Sequence, residues 1–267
     1  MNRPGVSFEA RQLSGEEAIE GGAPLRIGVL THYMPPHPGG IEYVAETLCG
    51  AYVDRGHEVR WIASHEPATE PEHEGMRIRV RSWNAIERKF GVPVPVWGPS
   101  AWRAVRSLVA WADVLHIHDC LYPGSYLGTM FARFARKPVL LTQHVGPVPY
   151  NMALVRAVQF VAYATLGRVV LRGATRVVAA TPAAERHVAH LLGGRSGVEY
   201  IPNGIDIARF VPAAPADQRA ARERLGLDPA LPVVLFVGRL VEKKGIRIVA
   251  EVAARCPTAQ FLVVGDG

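Results

Sequence analysis

A short apolar run followed by a loop, a helix and a second apolar run restricts this chain more than any other feature. Residues 25–30 form the first run. The loop after it, residues 31–40, holds three prolines and two glycines, which leaves no room for a helix. Residues 41–55 then show helical spacing, with Ile41, Val44, Ala45, Leu48 and Tyr52 on one face. Gly56 stands where a glycine closes a helix, and residues 59–63 make the next strand. A helix between two strands is the crossover that parallel strands require, so the unit predicts a parallel sheet.

The unit recurs. Strands are expected at 77–81, 113–118, 138–142, 175–179 and 198–201. Helices are expected at 101–111, at 125–136 and from about 151 to 171, and Pro182 opens a further one. Residues 83–99, with three prolines and two tryptophans, are expected as a loop. The sum is an α/β doubly wound parallel sheet, Rossmann-like, over about residues 25–200. Beyond Pro202 the chain becomes rich in proline, alanine and charge, with a short helix near 218–224. A second unit follows: strand 233–237, a basic loop, helix 245–255 and strand 260–264. The expected organisation is a disordered leader (1–24), an N-terminal domain (25–210), a linker (211–230) and the start of a second Rossmann-like domain (231–267).

Composition narrows the function classes. With 49% hydrophobic and 20% charged residues among 267, the chain is not a disordered protein. Its three scattered cysteines cannot make a disulfide framework and point to a reduced, intracellular setting. The leader lacks the apolar run of a signal peptide. The most apolar later stretch, 157–167, is bracketed by Arg156 and Arg168. At eleven residues it is expected to be too short to cross a bilayer core of roughly 30 Å. From Cys120 to Ala184 there is no Asp or Glu, against seven Arg and Lys residues. Such a stretch suits phosphorylated ligands or anionic headgroups, although a solvated basic surface has the same signature. Phe131, Phe134 and Phe160 beside its arginines suggest contact with anionic membrane lipids.

Four motifs carry chemistry. Gly39 and Gly40, in Pro38-Gly39-Gly40-Ile41-Glu42, would let a phosphate approach the backbone at a helix N-terminus, or would simply make a tight turn. No G-x-G-x-x-G or Walker sequence occurs, which weakens nicotinamide and nucleotide-triphosphatase readings. His116, His118 and Asp119 lie at a strand's carboxyl end, where ligands of open α/β sheets bind, but metal binding would need further ligands. His144 ends the next strand, where it can hydrogen-bond a substrate hydroxyl. Finally, Ile201-Pro202-Asn203-Gly204-Ile205-Asp206 precedes Gly238-Arg239-Leu240-Val241-Glu242-Lys243-Lys244-Gly245, whose Arg239 and Lys244 flank a helix start in a way that suits a diphosphate.

Together these motifs resemble the GT-B retaining glycosyltransferases of family 4, over about residues 25–267. The resemblance implies transfer of a hexosyl group from a nucleotide diphosphate sugar to a glycan or lipid-linked acceptor with retention of configuration, as in polysaccharide or glycolipid synthesis. It implies Arg239 and Lys244 on the donor diphosphate, Gly39 and Gly40 close by, and His144 at the transfer centre. His118 and Asn203 are acceptor-side candidates. It implies no metal and no cofactor beyond the nucleotide sugar; no nucleic-acid partner is expected, since no recognised module accompanies the basic charge. It also implies a cytoplasmic protein, peripheral at the inner face of the membrane, with an anionic membrane surface as a further contact. Family members carry a later E-x7-E element, which Gly267 precedes, so the chain is expected to be truncated or degenerate. A non-catalytic binding remnant and, more distantly, a sugar-nucleotide epimerase stand as alternatives.

Overall fold

The computed structural model describes residues 23–37, 39–65, 73–74, 76–83, 95–150, 152–194 and 197–267. The expected leader (apart from residues 23–24), Pro38, most of the 83–99 loop and the expected helix start at Asn151 lie outside the described residues. Two compact units emerge, one ending at Gly204 and one spanning Ile205–Gly267.

The first unit is built on one sheet. Its strands are β1 (Arg26–Leu30), β2 (Glu58–His65), β3 (His73–Glu74), β4 (Arg77–Trp83), β5 (Val96–Trp97), β6 (Val114–His118), β7 (Val139–Gln143), β8 (Arg176–Ala179) and β9 (Val198–Tyr200). They run in the order β3-β4-β2-β1-β6-β7-β8-β9, with β5 on β4. Every pairing is parallel except the two made by β3 and β5, which are antiparallel to β4. The parallel frame is the expected doubly wound fold. The two short antiparallel strands were not expected, because two residues carry no readable alternation.

Helices cover both faces, so the central strands are buried on both sides, with apolar runs in β1 and β7 and buried polar residues such as His116 and His118 toward the carboxyl end of β6. On one face, α1 (Gly40–Asp54) packs Ala45 and Cys49 against Ile27, Val29, Val59 and Trp61. The expected face of α1 is displaced by one position. Glu42, Ala45 and Cys49 are buried, while Ile41, Val44 and Leu48 are only partly so. A charged residue can occupy the inner face here because its carboxylate finds partners there, as described below. On the other face, α2 (Pro99–Trp111) inserts Ala101, Val105, Leu108 and Val109, and α3 (Pro123–Ala135) inserts Leu127 and Ala132. The sheet and α3 approach closely through glycine: a Cβ on Gly128 would run into the Leu30 side chain.

After β7, a continuous helical run comprises α4 (Ala153–Ala162), a π-turn (Tyr163–Gly167) and α5 (Arg168–Gly173). Here the structure corrects the sequence reading. The run has 21 residues and is long and apolar enough to cross a membrane, because the helix continues through both bracketing arginines. Its Tyr163, Val170 and Leu171 belong to the core, while Leu154, Val158, Phe160 and Val161 are exposed. A second correction concerns the phenylalanines. Phe134 and Phe160 are 79% and 74% exposed, whereas Phe131 packs on the core and meets Trp102 edge-on at 6.2 Å. The last helix of this unit, α6 (Pro182–Leu191), starts with Pro182 as expected, and the Thr181 side chain accepts from the Ala184 N–H.

The second unit holds α7 (Pro215–Arg224), β10 (Val233–Val237), a 3-10 turn (Glu242–Lys244), α8 (Ile246–Arg255) and β11 (Gln260–Val264). β10 and β11 pair in parallel.

Gly128→Ala tests the packing. Helix propensity alone would favour alanine by up to ~1 kcal/mol, but overpacking against Leu30 and Ile117 costs about 1–3 kcal/mol. A lowered unfolding midpoint in urea is expected, and a raised one would refute the close approach.

Candidate active site

The strand order reverses between β1 and β6, so the chain turns to opposite sides of the sheet after these two strands. A crevice at the carboxyl ends results, and ligands of open α/β sheets bind there. The loop from Thr31 to Gly40 follows β1. His118 ends β6, and His144 directly follows β7. Residues far apart in sequence thus meet at one edge.

Three histidines form the centre. His118 Nδ1 lies 2.9 Å from His144 Nε2, and the rings are nearly parallel with centroids 5.2 Å apart. His116 is 4.3 Å from His118 between ring centroids. It bonds the Tyr52 hydroxyl through Nδ1 at 3.0 Å and the Thr142 hydroxyl through Nε2 at 2.8 Å. Burial disfavours the charged form of all three. His116 is pushed down to about 3, His144 down to about 4 although Glu42 pulls it upward, and His118 well below its usual value. His144 is therefore a neutral imidazole at pH 7, able to hydrogen-bond a hydroxyl without carrying charge.

The backbone of His144 is pinned from the neighbouring strand end: its N–H donates to Asp119 Oδ1 at 2.8 Å. Asp119 adopts φ +60°, a left-handed conformation that Asp tolerates better than most residues. Burial lifts its carboxyl to about 7, against backbone hydrogen bonds from His144 and Val145 that favour the anion. Gln143 clamps the same corner, accepting from the Cys120 N–H at 3.1 Å and donating to the Val145 carbonyl at 2.8 Å.

Across the crevice, Glu42 is 2% exposed and lies 3.4 Å from His32 Nε2 and 3.3 Å from His37 Nδ1. Burial pushes its carboxyl up. The His37 hydrogen bond and the His32 charge outweigh that push and hold it below the usual carboxylate range. His32 stacks on Tyr122 at 4.0 Å, and His37 stacks on Tyr33 at 3.9 Å. This arrangement changes the role of the glycine pair. A Cβ on Gly39 would overlap the Glu42 carboxylate, so that glycine is demanded by the protein itself. A Cβ on Gly40 would meet nothing within 4 Å, so only Gly40 leaves open space at the start of α1.

The other expected site residues are placed as follows. His118 is wholly buried and meets His144, so it reaches a ligand only by way of His144, not as a direct acceptor contact. Asn203 is exposed beyond β9. Arg239 and Lys244 belong to the second unit, at the end of β10 and in the turn before α8; both are exposed and neither has a side-chain partner among the described residues. Among the described residues, no group of three or more His, Cys, Asp or Glu is arranged to hold a metal ion. Sequence reasoning passed over His32, His37, Gln143 and the role of Glu42. The available signal was a carboxylate three residues after Gly39, on the inner face of a helix otherwise packed on the sheet.

Comparison with known proteins places this geometry. The model of Glycosyltransferase Family 4 matches residues 38–209. The D-inositol 3-phosphate glycosyltransferase of Nocardia farcinica is 28% identical over 91% of this chain and 58% of its own length. The phosphatidyl-myo-inositol mannosyltransferase of Mycolicibacterium smegmatis is 26% identical over 91% of this chain and 59% of its own length. The chain thus spans about three fifths of the length of these curated relatives. Among solved structures, HepE of Anabaena in complex with UDP-glucose superposes with a TM-score of 0.65 at 21% identity, over 91% of this chain and 61% of that one.

Acid should unfold this site for a predictable reason. The three histidines stay neutral when folded but protonate near 6.5 when unfolded, whereas Asp119 holds its proton when folded and loses it near 3.8 when unfolded. Three groups oppose one, so unfolding takes up about two protons between roughly pH 6 and 4, and stability falls as pH falls. Glu42, depressed below 4.5, adds a further loss at lower pH. Urea midpoints at pH 7, 6 and 5 should decrease in that order; a flat or rising series would contradict the burial of neutral histidines.

Proposed function

Because this chain belongs to glycosyltransferase family 4, we propose that it serves the transfer of a hexosyl group from a nucleotide diphosphate sugar to a lipid-linked or glycan acceptor, with retention of configuration. The observation that carries this reading is the His144–His118–Asp119 cluster at the strand-order reversal of the domain that matches the family.

In this reading His144 hydrogen-bonds the sugar being transferred, and its neutrality keeps it from attracting the departing diphosphate away from its own seat. Asp119 and His118 hold its backbone and ring. Arg239 and Lys244 stabilise the negative charge that builds on the leaving diphosphate, and Gly40 leaves the amides opening α1 accessible to a phosphate. Cations and dipoles held in place beforehand do this without reorganising during the reaction. No metal is needed for that charge. Asn203 stands on the acceptor side.

The acceptor class follows from the basic stretch between Cys120 and Ala184, with Phe134 and the apolar side chains of α4 exposed within it. A surface that joins arginines to exposed apolar residues suits the interface of an anionic membrane. The relatives whose names specify phosphatidyl-myo-inositol as acceptor support a lipid-linked one. The protein would then work at the inner face of the cytoplasmic membrane.

Three measurements test the proposal. Calorimetric titration with a nucleoside diphosphate should show binding that Arg239→Ala abolishes; no binding to the wild-type chain would favour the non-catalytic remnant. Where transfer is measurable, loss of Arg239 should cost about a hundredfold or more in rate, the cost of one preorganised charge-stabilising donor. Co-sedimentation with liposomes should rise with anionic lipid content and fall with salt. Insensitivity to both would remove the membrane surface from the proposal.

A further inference from the structure

A cavity of about 440 Å³ lies beside the histidine cluster but is not part of it. Its size is within the usual range of small-molecule sites. One wall is the loop Pro147–Pro149, which begins three residues after His144, so its near edge is within ~10 Å of that residue's backbone. The loop rests on α6: a Cβ on Gly146 would lie 3.6 Å from the Ala183 carbonyl oxygen and 3.9 Å from His187 Cβ. The facing wall comes from α4 and the π-turn, with Phe160 and Tyr163 at helical spacing.

The cavity is lined by basic side chains and one neutral amide, that of Gln159. Arg156, Arg168, His187 and His190 line it, and no carboxylate does. Arg168 is half-buried, and its Nε donates to the Leu191 carbonyl at 3.1 Å. That bond fixes the guanidinium plane, while its two terminal amino groups make no hydrogen bond among the described residues. His187 meets Tyr163 edge-on at 4.5 Å, and its Nε2 is buried without a hydrogen-bond partner. A fixed cationic fork and an unpartnered imidazole nitrogen beside aromatic and proline surface are complementary to one kind of ligand.

We infer that this cavity binds a phosphate group bearing an apolar substituent, with Arg168 and His187 on the phosphate oxygens and Phe160, Tyr163 and Pro147–Pro149 on the apolar part. The inference deepens the lipid-linked reading of the acceptor, and rests on it, by giving the acceptor's charged group a seat a short distance from His144. The same phosphate chemistry could be met by a free anion, and the test separates the two.

The probes are dodecyl phosphate below its micellar concentration, inorganic phosphate, and dodecyl maltoside as a neutral amphiphile. Calorimetry on the whole chain should give saturable binding of dodecyl phosphate. Inorganic phosphate and the maltoside should bind at least ~10-fold more weakly, and Arg168→Ala and His187→Phe should each weaken dodecyl phosphate about tenfold or more. In the wild-type protein, the His187 imidazole signals should shift with the same saturation curve, which needs no variant to fold. Dodecyl phosphate binding unchanged by both variants overturns the inference, as does a silent His187. Equal affinity for inorganic phosphate makes it a free-anion site, and equal affinity for the maltoside makes it an apolar groove; either result also overturns it. No sugar donor enters these measurements, so failure of transfer leaves the cavity standing, and failure of binding leaves the transferase reading standing.

Discussion

A parallel sheet covered by helices on both faces has only its strand ends in which to place polar chemistry. The central strands of this protein are buried on both sides, because Ala45 and Cys49 press on one face and Val105 and Leu108 on the other. Burying an unpaired polar group within these layers would cost several kcal/mol, so the polar residues collect where β1, β6 and β7 give out. The strand-order reversal between β1 and β6 opens those ends into a crevice, and the rest of the candidate site depends on that geometry.

Within the crevice, two polar clusters are held by different means. The histidine cluster is neutral and is ordered by hydrogen bonds from helix to strand and between neighbouring strand ends: Tyr52 of α1 to His116, His116 to Thr142, and His118 to His144. The Glu42 cluster is charged and is ordered by imidazoles on both sides of one buried carboxylate. Gly39 belongs to the second cluster, because any side chain there would occupy the space of the carboxylate. The glycine pair therefore divides its labour, with Gly39 serving the protein's interior and Gly40 the open side of the helix start.

Much of the fold was legible because periodicity reports burial. The strands at β1, β7, β10 and β11 are largely apolar runs, and α2 spaces Ala101, Val105 and Leu108 at four and three residues. Where the reading slipped, the reason was local. The inner face of α1 was misplaced by one position because it was read from apolar residues alone, and the buried Glu42 is not one of them. The helix expected from about 151 to 171 forms at 153–173, but its span was judged only from the eleven apolar residues between Arg156 and Arg168, both of which lie within the helix. Phe131 and Phe134 are three residues apart on α3, yet Phe131 packs on the core and meets Trp102 edge-on while Phe134 is exposed.

By itself the sequence determined the alternation of strands and helices, the parallel sheet, the basic and acid-free stretch, and the positions of His118 and His144 at strand ends. These follow from local spacing and composition, which any short window carries. Only the tertiary structure decided that His118 serves His144, that Glu42 lies between His32 and His37, and that Arg168 and His187 face one cavity. His118 and His144, like Arg168 and His187, are separated by whole elements and meet through strand order and packing, while Glu42 meets His32 and His37 because the loop after β1 folds back onto the first turn of α1.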